Sequence, residues 1–156
     1  MDEHTSIHEM LEKVGEESSV KEKVKILQSY DSPPIRAVLR GAYDPNIKWL
    51  LPKTKPPYTP NDADDWGLAP YHLGLEIMRQ INKFVALRKN GKWVTSVAME
   101  SQTKREQQFI EFIEGLHPTE TDIVFGMIKR KLPYKGLTSK LVDQAFPDLL
   151  PDGKLE

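Results

Sequence analysis

The sequence predicts an all-α fold, a compact bundle of about six to seven short helices forming one domain over residues 1–156. Apolar residues recur at helical spacing along most of the chain, which is the main signal of amphipathic helices. A length of 156 residues is that of a single ordinary domain with one core. The absence of cysteine excludes disulfides, zinc ribbons and thiol catalysis and fits a reducing compartment.

The first 50 residues predict three helices. In the first helix the apolar stripe follows an i, i+3, i+4, i+7 pattern and Gly15 is the expected stop. Ser18 or Ser19 is the expected cap of the second helix, and Pro33-Pro34 can open the third, since proline is tolerated in a first turn. The three stripes are Ile7, Met10, Leu11 and Val14; Val20, Val24 and Leu27; and Ile35, Val38, Leu39 and Ala42.

Residues 52–70 interrupt this pattern with five prolines and the acidic run Asp62, Asp64 and Asp65. No amphipathic period survives there, and neither flank forms a complete domain alone. The segment is therefore predicted to be a surface loop within the domain. Tyr58 and Trp66 are expected to attach it to the body of the protein.

The second half predicts a long helix from about Tyr71 to Lys89, followed by a turn at Asn90-Gly91. Residues 93–97 could pair back as one small hairpin or form a loop. Further helices are expected over Thr103–Leu116, from a cap at Thr119 to the basic triplet at 129–131, and after a cap at Thr138.

Basic residues are concentrated in two windows although the net charge is −1. Residues 77–105 contain seven basic side chains and one acidic one, and residues 123–142 contain five and none. A basic face, rather than the net charge, decides whether a protein can bind phosphates. The alternative is a solvated basic surface without a ligand.

Residues 127–150 carry the most informative pattern of the chain. A basic triplet at a predicted helix end is followed by a turn at Gly136 and by a helix that starts at Thr138. Free backbone N–H groups at such a helix start can hold a phosphate, and Lys131, Lys135 and Lys140 would flank it. Contacts of this kind recognise backbone shape rather than base sequence.

No catalytic or metal site is expected, so the sequence predicts a protein that is not an enzyme and needs no cofactor. There is no phosphate-binding glycine motif and no nucleophile elbow. The pair His4 and His8 and the acidic run at 62–65 lack the spacing of zinc and calcium sites. The start lacks a signal-peptide pattern, and no apolar run suits a membrane span, so a cytoplasmic protein without membrane contact is predicted.

Four segments resemble the N-terminal helical DNA-binding domain of bacteriophage-type ATP-dependent DNA ligases. Residues 7–30 and 33–52 are similar to that family's opening, with a K-x-K-x-x-I-L helix and then a helix ending in a tyrosine. Residues 114–132 resemble the helix before the family's R-D-L, here Arg130-Lys131-Leu132. Residues 136–149, GLTSKLVDQAFPDL, resemble its closing motif.

The resemblance implies an all-helical domain that binds duplex DNA through the backbone without strong sequence specificity. It implies backbone contacts by Arg130, Gly136 and Thr138, and a phage-encoded accessory protein in an infected host's cytoplasm. Lys131 stands where the family has aspartate, and Asp143-Gln144 replaces its Asn-Lys pair. No K-x-D-G lysine is present to carry AMP, so no sealing activity is expected. The full predicted DNA-binding set is Arg130, Lys131, Lys135, Gly136, Thr138, Lys140, Arg88, Lys89, Lys92, Lys104 and Arg105.

Two other interpretations stay open. The chain could be a protein-interaction module for a phage replication or transcription protein or for a host protein. Its acidic N-terminal segment and the loop with Tyr58 and Trp66 would then be the binding surfaces. It could also be a fragment of a larger ligase.

Overall fold

A computed structural model describes residues 6–52, 56–59, 73–95 and 101–150. These residues form seven α-helices, a 3-10 turn at Ile81–Lys83 and a three-stranded antiparallel sheet. In chain order the elements are α1 (Ile7–Glu16), α2 (Val20–Ser29), α3 (Pro33–Tyr43), β1 (Ile47–Trp49), α4 (Leu73–Gln80), β2 (Val85–Lys89), β3 (Lys92–Thr95), α5 (Gln102–Glu114), α6 (Pro118–Ile128) and α7 (Ser139–Ala145).

The prediction of an all-α, purely helical domain is wrong, because the protein is a mixed α and β fold. The sheet has the order β1-β2-β3, with Lys48 opposite Ala86 and Arg88 opposite Trp93. The small hairpin that the Asn90-Gly91 turn suggested is present as β2 and β3. Both turn residues have positive φ, 52° and 78°, as a two-residue turn of this hand requires.

The single long helix predicted over residues 71–89 is also wrong. The helix α4 ends at Gln80, and the chain then passes through the 3-10 turn into β2. Phe84 and Val85 fit the apolar stripe of a helix, but here Phe84 directly precedes β2, Val85 is the first residue of β2, and both are buried. The partner β1 comes from residues 47–49, so this pairing could not be read from the local pattern.

Most of the helix starts follow local rules. The hydroxyl groups of Ser6, Ser19, Ser32 and Thr138 each accept a hydrogen bond from a backbone N–H in the first helical turn. The predicted caps at Ser19 and Thr138 and the proline start of α3 are confirmed. The cap of α6 is His117 rather than Thr119, because Pro118 occupies the first helical position.

One core unites the helices and the inner side of the sheet. Its centre contains Phe84, whose ring centroid lies 5.4 Å from that of Phe109 and 5.9 Å from that of Phe112. Tyr58 packs on Phe125 at 5.9 Å, which confirms that it attaches the proline-rich segment to the body. Trp66 and most of the predicted loop lie outside the described residues. Within the described ranges no helix is long and apolar enough to cross a membrane.

Candidate nucleic-acid interface

The connection between α6 and α7, residues 129–138, is a tightly packed loop that we call the basic loop. It begins where α6 ends, with the Lys131 N–H donating to the Gly126 carbonyl at 2.9 Å and the Arg130 N–H to the Met127 carbonyl at 3.1 Å. Arg130 has a φ of 63°, the left-handed conformation that such helix ends require. Gly126 permits the close packing, since a Cβ there would lie 2.9 Å from Pro133 Cδ.

Tyr43, the last residue of α3, holds both halves of the basic loop. Its buried hydroxyl donates to the Leu137 carbonyl at 2.6 Å and accepts from the Leu132 N–H at 3.2 Å. The hydroxyl is protonated at neutral pH and can donate, and burial raises its pKa further. The loop geometry is therefore anchored to the core rather than set by the loop alone.

Lys23 of α2 provides a second anchor from the other side. Its ammonium group donates to the carbonyl oxygens of Val14 at 2.9 Å, Gly15 at 3.4 Å and Lys135 at 3.1 Å. The side chain is only 6% exposed, so it is a structural cation that ties the end of α1 to the basic loop. Gly136 has a φ of 76°, and a Cβ there would lie 2.9 Å from Lys23 Cε. The need for glycine at 136 thus comes from Lys23 as well as from the turn.

An open cavity of about 620 Å³ lies over the basic loop. It brings together five of the residues predicted to contact DNA. Lys131 and Lys135 are exposed at its rim, and Lys140 is exposed one residue beyond its lining. None of these three ammonium groups forms an ion pair with a carboxylate of the described residues. The five predicted residues in the lining are Arg130, Lys131, Lys135, Gly136 and Thr138.

Two of the predicted residues in the basic loop have internal partners. The Arg130 guanidinium donates to the Gly41 carbonyl at 2.9 Å, and its partial burial lowers its pKa. The Thr138 hydroxyl accepts from the Leu141 N–H, which satisfies one of the amides that the sequence suggested for a phosphate. The exposed lysines, not these two side chains, are consequently the groups best placed to meet an external anion.

The remaining predicted residues lie on other elements. Arg88, Lys89 and Lys92 are exposed on the hairpin of β2 and β3. Lys104 is exposed in the first turn of α5, whereas Arg105 is 7% exposed and its guanidinium donates to the Gln102 side chain. A surface role for Arg105, expected from charge counting, does not fit a side chain with this burial.

A polar group of residues borders the basic loop near α1. Nδ1 of His8 lies 2.9 Å from the Tyr134 hydroxyl, and its Nε2 lies 3.0 Å from a Glu12 oxygen. Burial, with the nearby acids Glu12, Glu120 and Asp122, raises the pKa of Tyr134. A raised pKa opposes formation of a tyrosinate at neutral pH. The contact between His8 and Tyr134 links α1 to the basic loop.

Glu120 in the first turn of α6 is a buried carboxyl group, 1% exposed. Its Oε1 accepts a hydrogen bond from the Leu73 N–H, the first residue of α4, at 3.1 Å. Burial raises the pKa of Glu120 to about 7, although the hydrogen bond from Leu73 acts in the opposite direction. This group therefore changes charge near neutral pH inside the fold.

Lys23, Tyr43 and Glu120 were not singled out from the sequence. Tyr43 ends the predicted third helix and Lys23 lies in the K-x-K-x-x-I-L segment that resembles the ligase domains, so both were visible only as motif members. Burial is what distinguishes them from other polar residues, and it depends on contacts between distant segments. No group of three or more His, Asp or Glu side chains suited to a metal ion occurs in the described part of the chain. His4 and the acidic run at 62–65 lie outside that part.

Comparison with known proteins gave one family match. A sequence model described as a family of unknown function, DUF6433, matches residues 10–134, which runs from α1 into the basic loop. No curated protein and no solved structure matches this chain.

Proposed function

This chain belongs to DUF6433, a family of unknown function, and we propose that the protein binds duplex DNA through phosphate contacts at the basic loop. The observation that carries the proposal is the open cavity over the basic loop, whose lining includes five of the residues predicted to contact DNA. The proposed role is non-catalytic, and the contacts are with the backbone rather than with base edges.

The basic loop offers the chemistry that phosphates require. Its exposed cations Lys131 and Lys135, together with Lys140, form no ion pair with a carboxylate of the described residues. The backbone beneath them is held by Tyr43 and Lys23, so little conformational entropy is lost on binding. A preorganised basic surface of this kind supports affinity without sequence specificity.

The resemblance to phage-type ligase DNA-binding domains supports the same function from a different direction. The segments that carry it include α2, the end of α3 and the basic loop, which meet at Lys23 and Tyr43 in the structure. A phage-encoded accessory protein acting in the cytoplasm of the host would be consistent with such a domain. We propose this origin and this location together with the DNA-binding role.

The test is fluorescence anisotropy of the purified protein with a labelled duplex, intact or nicked, over a range of salt concentrations. If the three lysines neutralise three phosphates, log K should fall with a slope of about −2.7 against log salt. This corresponds to a loss of about 40-fold between roughly 50 and 200 mM salt. The double variant Lys131→Ala/Lys135→Ala should reduce the slope by about 2.

The matched control is Lys21→Ala, which removes an exposed lysine from the first turn of α2. It should leave the slope unchanged. The assignment to the basic loop would be wrong if the double variant bound duplex DNA as tightly as the wild type. It would also be wrong if Lys21→Ala reduced the salt slope as much as the double variant does. No duplex binding by the wild-type protein at low salt would instead favour the protein-interaction module as the function.

A further inference from the structure

The three strands place a tryptophan among cations on one surface. Successive residues of a strand point to opposite faces, and the register sets Arg88 directly opposite Trp93 and Lys48 beside Ala86. Arg88, Trp93 and Lys48 therefore share a face of the sheet. We call this surface the Trp93 face.

The contacts within this face are of the cation-π type. The Arg88 guanidinium carbon lies 5.0 Å from the centroid of the Trp93 ring, and Lys48 Nζ lies 5.8 Å from it. Trp93 nevertheless stays 42% exposed, an unusual state for the largest apolar side chain. Its ring is held in place by its neighbours but is not covered by them.

The charged residues of the three strands are all basic. Residues 47–49 and 85–95 contain Lys48, Arg88, Lys89 and Lys92 and no aspartate or glutamate. Lys89 and Lys92 lie opposite each other at the turn end of the hairpin, on the other face of the sheet, and they add to the positive charge of this region. The surface thus combines an aromatic ring with an excess of positive charge.

We propose that the Trp93 face binds single-stranded nucleic acid, with a base stacked on Trp93 and phosphates at Arg88 and Lys48. The bases of an intact duplex stack on one another, so their faces are not available to a surface indole, whereas unpaired bases are. An acidic peptide would satisfy the cations but would leave the exposed ring unused. This site is separate from the basic loop and does not depend on it.

The test is anisotropy with a labelled oligothymidylate of about 12 nucleotides, a length within the range of single-strand sites. Wild-type protein should bind at low salt. Trp93→Ala should weaken binding by about 5- to 150-fold, the range expected for loss of one base-aromatic stack. Trp93→Phe keeps an aromatic face and should recover part of this loss.

Val94→Ala is the matched control, because Val94 is similarly exposed on the same strand but points to the opposite face. It should bind the oligonucleotide as the wild type does. Circular dichroism of each variant reports whether the fold is kept, and if Trp93→Ala does not fold, Arg88→Gln and Trp93→Phe carry the test.

Three outcomes would overturn the proposal: no binding by the wild type, equal losses in Trp93→Ala and Val94→Ala, or competition by poly-glutamate as effective as by unlabelled oligothymidylate. The two sites are distinguishable in the same assay. Lys131→Ala/Lys135→Ala should keep oligothymidylate binding, and Trp93→Ala should keep duplex binding. Loss of the expected oligothymidylate result would not affect the proposal of duplex binding at the basic loop, and the reverse also holds.

Discussion

Replacing Glu120 by glutamine should remove a pH dependence from the stability of this protein. The Glu120 carboxyl group is 1% exposed and its pKa is raised by burial from 4.5 to about 7. The folded protein therefore holds a proton that the unfolded chain releases between these values. The stability that protonated Glu120 contributes is accordingly fully present below about pH 4.5 and is lost as the pH rises through about 7.

The size of the effect follows from the shift. Each pKa unit corresponds to about 1.4 kcal/mol, so complete ionisation of Glu120 lowers the free energy of unfolding by about 3 kcal/mol. Glutamine cannot ionise, and its amide oxygen can still accept the hydrogen bond from the Leu73 N–H. The stability of Glu120→Gln relative to wild type should thus increase by about 3 kcal/mol between roughly pH 4.5 and pH 8.

The assay is urea unfolding of both proteins across this pH range. Subtracting the free energy of unfolding of the wild type from that of Glu120→Gln at each pH cancels the contributions of the other titrating groups. Only the change of this difference with pH is used, so the constant cost of burying the glutamine amide does not matter. Glu111→Gln is the matched control, since it makes the same substitution at an exposed position on α5. A change with pH as large as that of Glu120→Gln would show that burial is not the cause. A difference for Glu120→Gln that stays constant within about 1 kcal/mol would refute the reasoning.

Three further substitutions test the anchoring of the basic loop by chemical unfolding. Tyr43→Phe should lower the free energy of unfolding by about 1–3 kcal/mol, because a buried carbonyl and a buried N–H both lose their partner. A loss below about 0.5 kcal/mol would contradict this expectation. Lys23→Met should lower the free energy of unfolding by about 2–3 kcal/mol, while the exposed control Lys25→Met should change it little. Equal losses in the two variants would show that the Lys23 ammonium group is not an anchor. Gly136→Ala should lower the free energy of unfolding by about 1 kcal/mol more than Gly91→Ala does. Both glycines have positive φ, but a Cβ at Gly136 would meet Lys23, whereas nothing lies within 4 Å of a Cβ at Gly91. Equal losses would show that Lys23 is not a reason for glycine at 136.

The positions of the two basic surfaces were partly predictable. Charge counting identified both windows, and the glycine turn and the threonine cap identified the basic loop before its geometry was known. Counting could not tell a surface cation from an internal one. Lys23 and Arg105 are buried and Arg130 is turned toward a backbone carbonyl, because each has a partner that only folding brings near.

The sequence by itself determined the features that depend on neighbouring residues. The starts of α2, α3 and α7 and the turn at Asn90-Gly91 follow from side chains that bond to, or set the φ of, their own segment. These interactions span a few residues and need no other part of the chain. The structure confirms these local predictions.

Only the tertiary structure decided the features that depend on distant segments. Residues 85–89 form a strand rather than the end of a helix because β1, some forty residues earlier, and β3 satisfy their backbone groups on both edges. The apolar pattern at Phe84 and Val85 suits either conformation, so the available partner decides between them. For the same physical reason, Tyr43 and Lys23 became anchors of the basic loop only once α2, α3 and residues 132–137 had packed together.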